Sequence, residues 1–471
     1  MKKTTSIKVI AIAILHFTFS ILHFTAHGAV IDQVIVRQQW PWSTDVKVEY
    51  RVTGVTSPVN IAVRAFNGEE ELPSANLEAA ISGERFGITE DGVGAFTIDP
   101  VKAFGTAKVA LANFKVKLSL TPAAANINEV LYKVFDLSTG ACQDIKRADF
   151  FNGKVESGEF VTNFTAVGSG FGTTLGDVFI WTGVTNNVKY KTTHLVMRKI
   201  PAASYGVWTM GSPESETMYQ GSPAYRDKET NHFVRLTHDY YIGVFEVTQK
   251  QFFLLTGKNT ASTSDQERDD ADVLAITKLD YGGYGNYDTA CGFIGKLRQK
   301  TGNSNFDLPT DARWEFACRA GTQTALNNGH NVTPTALWSN SDAWANKVAW
   351  YGPNSEIDGT RKVHPVGQLA PNAFGLYDMH GNVWEWCLDF YSEGANYIAS
   401  FGAEWTPETV VVDPTGPASA VSSPTKRVVR SGSCDANSYG VVVRSAYRTS
   451  GTPWTTPNNY YGMRVALSIA E

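Results

Sequence analysis

The sequence predicts a multidomain chain in which an antiparallel β-sandwich precedes a larger α+β domain with much irregular structure. Three observations lead to this prediction. The 471 residues exceed what one hydrophobic core usually supports. Apolar and polar residues alternate in short segments between 45 and 120. Gly, Asn, Pro and Trp crowd the segment 320–465, which shows little sustained periodicity.

The N-terminus has the pattern of a secretory signal peptide over residues 1–28. Two lysines precede an apolar run from Val9 to Phe24, and small residues follow with Ala26 and Gly28 at a cleavage-like site. We therefore expect an exported protein, secreted, periplasmic or at the cell surface, without a membrane span after signal removal. A retained anchor stays open as an alternative, because the apolar run approaches spanning length.

The β-sandwich is predicted over residues 29–122. From Asp45 to Val52 apolar side chains alternate with charged ones, which is the period-2 pattern of a strand with one buried face. The alternation recurs at 58–66 and 113–120, with turn-rich segments such as 89–94 between. Several short strands of this kind predict an immunoglobulin-like module, and such modules hold, space or bind.

Residues 123–190 are predicted to form a β-rich connector. Its glycine-rich segment 168–177 is similar in composition to a phosphate-binding loop, but no Gly-Lys-Ser/Thr follows and no helical pattern begins after it. A nucleotide site is therefore not expected.

The last predicted domain, residues 191–471, begins with strands and helices. Thr248 and Gln251 have the spacing of a capping box at a helix start. A second helix is predicted between 272 and 300, and a third from a Thr310 cap to a stop at Gly321.

Composition excludes several functions. A net charge of −5, with 43% hydrophobic and 18% charged residues, argues against a nucleic-acid surface and gives no sign of an acidic-lipid patch. The spacing of the five cysteines forms no CxxC motif and no His/Cys cluster of the kind that zinc needs. At most one or two disulfides are expected, and their pairing stays open.

Five segments of the C-terminal domain together resemble one family, the formylglycine-generating enzymes or sulfatase-modifying factors, whose members oxidise a cysteine of sulfatases. The resemblance covers residues 194–468 and implies a fold related to the C-type lectins. The segments, in order, are "MGS" (210–212), "YYIGVFEVTQKQF" (240–252), "LPTDARWEFACRAGT" (308–322), "HPVGQLAPNAFGLYDMHGNVWEW" (364–386) and "GMRVA" (462–466).

The resemblance implies a structural calcium ion at "DMHGNVWE". Calcium takes six to eight hard oxygens, and carboxylates with backbone carbonyls supply them. Alternatively, the two carboxylates cap a tight turn that Trp384 and Trp386 pin. The implied ligands are Asp378, Gly381, Val383 and Glu385.

The same resemblance implies that the catalytic chemistry is missing. The enzymes of the family use two cysteines, five residues apart, because a close thiolate pair suits copper(I). Counted from Gly432, those positions fall on Ala436 and Val441 here, and neither side chain can ligate a metal. We predict no catalytic residues and no copper. Cys434 lies close by and leaves a rearranged oxidase open as an alternative.

Other residues near the motifs are interpreted as structural. Cys318 is expected to be a small buried apolar side chain, because Val465 replaces the cysteine that the enzymes carry in their matching segment. His364 and His380 have no second His or Cys at ligand spacing, so an iron site is not expected.

The C-terminal segment is rich in Tyr, Ser, Gly and Asn, the composition of adaptable recognition loops. We predict that it binds an extracellular ligand, a glycan or a protein. Ordinary surface loops are one alternative, and another is the variable display face of a diversity-generating retroelement protein, whose C-terminal segments are similar. The candidate ligand-binding residues are Asp435, Asn437, Tyr439, Tyr447, Trp454, Asn458 and Tyr460.

Overall fold

A computed structural model gives the structure of the protein. It divides the chain into two compact units, residues 1–129 with 146–156 and residues 130–145 with 157–471. The predicted signal peptide, Trp454 and Asn458 lie outside the described residues. The described residues are 29–38, 45–105, 114–123, 127–152, 154–155, 160–161, 178–213, 216, 228–258, 269–276, 292–337, 340–402, 405–420, 426–435, 437–451 and 460–469.

The first unit consists of two antiparallel sheets around one apolar core, together with short helices. The sheets have the strand orders β1-β2-β6-β5 and β4-β3-β7. The elements are β1 (Val30–Gln38), β2 (Val46–Thr53), β3 (Val59–Asn67), β4 (Glu70–Glu71), α1 (Ser74–Ala80), β5 (Ile81–Gly83), β6 (Gly92–Ile98), α2 (Pro100–Phe104), β7 (Phe114–Pro122) and α3 (Arg147–Phe151).

The antiparallel strands predicted from alternation are confirmed as β2, β3 and β7. Strand β6 begins at Gly92, inside a segment that the sequence analysis assigned to a turn. The glycine at position 94 of this strand leaves room for Tyr50. The Tyr50 hydroxyl passes over Gly94 and donates a hydrogen bond to the Glu84 carbonyl at 2.7 Å. A Cβ at Gly94 would lie 2.3 Å from that hydroxyl oxygen, so glycine belongs in this strand. The immunoglobulin-like arrangement stays a prediction.

Asn152 follows two strands of the second unit in the sequence, but its side chain forms hydrogen bonds within the first unit. Its Oδ1 accepts hydrogen bonds from the backbone N–H groups of Arg85 at 3.0 Å and Phe86 at 3.1 Å. Its Nδ2 donates to the Phe86 carbonyl at 3.3 Å. Nearby, Arg147 forms an ion pair with Glu129 at 2.8 Å. The unit is therefore completed by residues that follow two strands of the second unit.

We expect Asn152→Ala to destabilise the first unit by about 1–3 kcal/mol, because it leaves two backbone N–H groups without acceptors, one of them buried. Hydrogen exchange of peptides covering β3 and β6 measures the loss. The exposed Asn67, replaced by alanine, is the matched control and leaves the exchange unchanged. Equal effects of the two variants would contradict the structural role of Asn152.

The second unit contains a six-stranded sheet of order β16-β26-β15-β12-β8-β9 and a four-stranded sheet of order β24-β23-β21-β25. Its elements are β8 (Val130–Asp136), β9 (Cys142–Lys146), β10 (Phe160–Val161), β11 (Val178–Phe179), α4 (Lys189–Thr192), β12 (His194–Ile200), α5 (Ala202–Tyr205), β13 (Val207–Met210), β14 (His232–Arg235), β15 (Tyr240–Gly243), α6 (Gln249–Thr256), α7 (Phe293–Thr301), β16 (Phe306–Asp307), α8 (Asp311–Arg319), β17 (Ala349–Trp350), β18 (Glu356–Ile357), β19 (Thr360–Arg361), β20 (His380–Gly381), β21 (Trp384–Phe390), α9 (Gly394–Ala399), β22 (Val410–Val412), β23 (Arg427–Arg430), β24 (Thr449–Gly451), β25 (Tyr461–Gly462) and β26 (Ala466–Ser468).

The helix starts predicted from capping residues are confirmed. Helix α6 follows Thr248, which forms a reciprocal capping box with Gln251. Helix α8 follows Thr310, but it ends at Arg319, and Ala320 takes the left-handed conformation with φ 44° before Gly321. Within the predicted helical region 272–300, the described residues form α7 only from Phe293 onward. No helix among the described residues has the length and apolar content to span a membrane.

Candidate functional site

Buried ion pairs fix the four-stranded sheet to helix α8. Arg430 of β23 donates from Nε to Asp311 Oδ1 at 2.5 Å and from Nη2 to Glu315 Oε2 at 2.9 Å. Arg448 holds the other Asp311 oxygen at 2.9 Å, and Arg319 holds Glu315 at 2.8 Å. Burial alone would raise the pKa of Asp311, but Arg430 and Arg448 hold it below its ordinary value. The strand and loop around the predicted thiol positions therefore have a rigid base.

Val441 occupies one of the two positions where the enzymes of the family carry a catalytic cysteine, and its side chain is part of an apolar cluster. It is 3% exposed and packs in a group that includes Val332, Leu337 and Val443. Its backbone N–H donates to the Leu337 carbonyl at 3.1 Å. The branched side chain thus contributes to the core at this position. The other position, Ala436, lies outside the described residues.

Cys434 is completely buried. Its backbone N–H donates to the Asn382 carbonyl at 2.9 Å, and its carbonyl accepts from the Ser355 hydroxyl at 2.7 Å. A thiol that ligates copper or attacks a substrate has to reach it. At 0% exposure, this residue does not reach solvent.

The other described cysteines are protonated thiols at neutral pH. Burial raises the pKa of Cys318 to about 12 and that of Cys387 well above its ordinary range. Partial burial raises the pKa of the exposed Cys142 to about 11. None of these three forms a disulfide with another described cysteine, and Cys291 lies outside the described residues.

The histidines near the motifs make packing and main-chain contacts. His380 Nδ1 lies 2.6 Å from the Val443 carbonyl, and its Nε2 accepts from the Asn327 N–H at 3.1 Å. Burial lowers the pKa of His380 to about 4, so the ring is neutral. His364 stacks on Trp350 at 3.8 Å between ring centroids. Among the described residues, no three His, Cys, Asp or Glu side chains are grouped to hold a metal ion.

Glu385, one of the four predicted calcium ligands, is committed to other partners. Its carboxylate accepts from Arg464 at 2.9–3.2 Å and from Trp314 Nε1 at 2.7 Å. Gly381 donates its N–H to the Ser431 carbonyl at 2.7 Å, and its own carbonyl accepts from the Ser431 hydroxyl at 2.9 Å. The N–H of Val383 donates to Glu246 Oε1 at 3.2 Å.

Asp378 is the predicted ligand with an oxygen to spare. Its Oδ2 accepts from the Gly367 N–H at 2.7 Å, whereas its buried Oδ1 has no hydrogen-bond partner among the described residues. Burial raises the pKa of Asp378 to about 6. Burial also raises the pKa of Glu246 well above its ordinary value, with added repulsion from Asp378 and Glu385. The unpartnered Asp378 oxygen is of the type that binds a hard cation, although Arg464 and Lys191 already place positive charge near this carboxylate, and Glu385 does not join the set because it is paired with Arg464.

Two of the candidate ligand-binding residues meet at Trp384. The Tyr447 ring lies 6.0 Å from the Trp384 ring, and the Tyr460 carbonyl accepts from the Trp384 N–H at 2.8 Å. All three side chains are half-buried. Trp384 was missed as a surface residue, because the sequence alone does not separate it from Trp386, which is 1% exposed.

The remaining described candidates occupy a separate turn. Ser438 donates its N–H to the Asp435 carbonyl, and the Gly352 N–H donates to the Ser438 carbonyl at 2.8 Å. Asn437 is exposed, whereas Asp435 and Tyr439 are half-buried.

The buried polar contacts of Glu246 with Asn382 and Val383 were also missed, although one signal was available. Glu246 lies between Phe245 and Val247, which are apolar, in a segment that reads as core. A charged residue is almost never fully buried without a partner, so its presence there pointed to a buried polar network.

Trp384, Glu385 and Trp386 lie on the inner strand β21 of the four-stranded sheet, and Arg464 pairs with the glutamate. The family model of the sulfatase-modifying factor enzyme 1-like domain matches residues 205–469. That match covers more than half of the chain, and the chain belongs to this family.

Several known proteins are similar to the chain. The formylglycine-generating enzyme of Streptomyces coelicolor is 37% identical over 164 residues, which are 34% of this chain and 46% of that enzyme. The inactive C-alpha-formylglycine-generating enzyme 2 of Mus musculus is 34% identical over 103 residues, which are 21% of this chain and 31% of that protein. Treponema denticola variable protein 1 has a solved structure with a TM-score of 0.42 and 22% identity, covering 59% of this chain and 96% of its own. The chain spans about half the length of the first two curated relatives, both formylglycine-generating enzymes: 46% of one and 44% of the other.

Proposed function

We propose that the protein is an exported, catalytically silent member of its family whose C-terminal domain binds a ligand or serves as a surface structural module. The observation that carries the proposal is the replacement of both thiol positions by Ala436 and Val441. Copper(I) chemistry in this class needs a close thiolate pair, and an alanine and a valine supply none. Copper is therefore not expected to bind here.

The packing around these positions supports the proposal. Val441 contributes to an apolar cluster, so the site stabilises the domain. The remaining nearby thiol, on Cys434, is buried with its backbone held by Asn382 and Ser355. Reaching that thiol would require a substrate to displace packed structure.

The aromatic residues around Trp384 support ligand binding. Tyr and Trp side chains give rigid contact area at low cost in conformational entropy, and amide or hydroxyl groups beside them adapt to polar ligands. Tyr447 places its ring next to Trp384, and the main chain of Tyr460 accepts a hydrogen bond from the Trp384 N–H. An extracellular glycan or protein is the ligand class that we infer.

Binding can be tested with glycan and protein arrays probed with the full chain. We expect binding that weakens at least about tenfold in Tyr447→Ala, the loss of one buried aromatic contact. Trp344→Ala is the matched control, since it removes an aromatic side chain that is 38% exposed and stacks on His330 instead. No binding, or equal losses in the two variants, would contradict the recognition role.

We also propose a structural calcium ion at Asp378, with the Gly381 and Val383 carbonyls as neighbouring donors. The support is the unpartnered Asp378 Oδ1, a buried hard oxygen. Calcium would supply positive charge there and offset the repulsion that raises the pKa of Glu246.

Calcium removal tests this site. Binding only to the folded state adds about 2.7 kcal/mol at a hundredfold excess over Kd, so chelation is expected to lower the melting temperature. Asp378→Ala should abolish the difference between calcium and chelator, and Asp272→Ala, at an exposed surface pair with Lys250, should keep it. Identical melting curves of the wild type in calcium and chelator would contradict the site.

A further inference from the structure

His232 of β14 is buried in an aromatic cluster that holds helix α9 and the residues after it. Its ring is 2% exposed and stacks on Phe401 at 4.1 Å with an interplanar angle of 25°. The Tyr397 ring meets it edge-on at 5.9 Å and 85°. Tyr397 and Phe401 also contact each other at 4.7 Å. His232 is thus in contact with both aromatic side chains on this segment.

The two ring nitrogens of His232 have unequal surroundings. Nδ1 lies 2.7 Å from the Thr230 carbonyl, which can only accept, so Nδ1 carries the proton of the neutral ring. Nε2 is buried and has no hydrogen-bond partner within the described part of the chain. A proton added at Nε2 would create a buried donor without an acceptor, which costs free energy.

Within the described ranges, the charged groups around His232 do not supply a direct counter-ion. Arg448 places its guanidinium 3.9 Å from the Tyr397 ring and opposes a second positive charge nearby. Asp311 and Glu315 favour protonation from a distance, but both are already paired with arginines. Burial is the largest influence, and it lowers the pKa of His232 below its ordinary 6.5.

We propose that His232 is an acid-sensitive latch, which holds residues 394–402 on the second unit at neutral pH and releases them on acidification. The neutral ring packs against both aromatic side chains, and the imidazolium would gain in water the hydrogen-bond acceptor that Nε2 lacks here. Release exposes the ring faces of Tyr397 and Phe401. The device is independent of the ligand-binding role proposed above.

The sign of the pH dependence follows from linkage. Because the latched pKa lies below the released value of about 6.5, the latch is fully stabilised above that pH and weakens as pH falls. The opening equilibrium rises by up to tenfold per pH unit until the latched pKa is reached. Between pH 7.5 and pH 5 we expect an increase of up to about 30-fold.

Hydrogen exchange of residues 394–402 at the two pH values, corrected for the intrinsic rate, measures this increase in the full chain. His232→Phe keeps an aromatic ring against Phe401 but cannot be protonated, so its opening should not change with pH. His238→Phe is the matched control because His238 is exposed, and it should retain the wild-type response. An equal pH response in His232→Phe and the wild type would overturn the latch.

A second measurement needs no variant. Exchange of the histidine C2 proton reports the pKa of each imidazole in the wild-type chain. We expect a value below 6.5 for His232, together with slow exchange that marks burial. A value at or above 6.5 would also overturn the latch, whatever the behaviour of the variants.

Discussion

Arg430→Met is expected to lower the free energy of unfolding of the second unit by about 3–5 kcal/mol. The arginine is 0% exposed and bridges Asp311 and Glu315, so its loss removes one buried ion-pair partner from each carboxylate and leaves them paired with Arg448 and Arg319 respectively. It also donates to the carbonyls of Ser445 and Tyr447 at 2.9 and 3.3 Å, which hold the C-terminal loop. Urea unfolding followed by tryptophan fluorescence measures the change.

Two comparisons make this prediction specific. Lys250→Met removes a partly exposed ion pair with Asp272 in the same unit, and surface pairs of this kind contribute little. The loss of unfolding free energy caused by Arg430→Met should also be smaller at acidic pH, because protonation of the carboxylates that lost a partner removes their charge. An Arg430→Met variant as stable as Lys250→Met would contradict the buried network.

Gly381→Ala is expected to destabilise the second unit by more than about 3 kcal/mol. Gly381 has φ 77°, and a Cβ there would lie 2.1 Å from the Trp350 carbonyl oxygen. That carbonyl accepts the Asn382 N–H at 2.7 Å and belongs to β17, which pairs with β20. Relief of the clash therefore breaks the pairing beside the Trp-Glu-Trp strand. Thermal unfolding measures the loss.

Gly359→Ala separates the two causes of that loss. Gly359 has nearly the same φ, 73°, but a Cβ there meets nothing within 4 Å. Its substitution carries only the left-handed backbone cost of about 1–2 kcal/mol. If the two variants lost equal stability, the clash with Trp350 would play no part.

Local patterns predicted local structure well. Alternation in β2, β3 and β7 and the caps at Thr248 and Thr310 depend on residues close in sequence. The hydrogen bond between Asn152 and Arg85, which are 67 residues apart, has no local sequence pattern from which it could be predicted. Two-residue strands such as β17 and β20 are too short for a period to be seen.

The site was predictable in its residue types and not in its contacts. Counting from Gly432 assigned Ala436 and Val441 to the two cysteine positions that the family resemblance implies, because the motif order fixed the register, and the loss of chemistry there stays a prediction. The commitment of Glu385 to Arg464, 79 residues away, depends on tertiary packing that no spacing rule contains. The same holds for Arg430 and Asp311, 119 residues apart.

We expect this family member to lack oxidase chemistry. The direct test incubates the full chain with a sulfatase-motif peptide, copper and oxygen, and follows the peptide by mass spectrometry. The formylglycine-generating enzyme of Streptomyces coelicolor is the positive control. We predict that the peptide cysteine stays a thiol with the wild-type chain. Conversion to the aldehyde that disappears in Cys434→Ala would contradict the claim and establish an oxidase with a rearranged site.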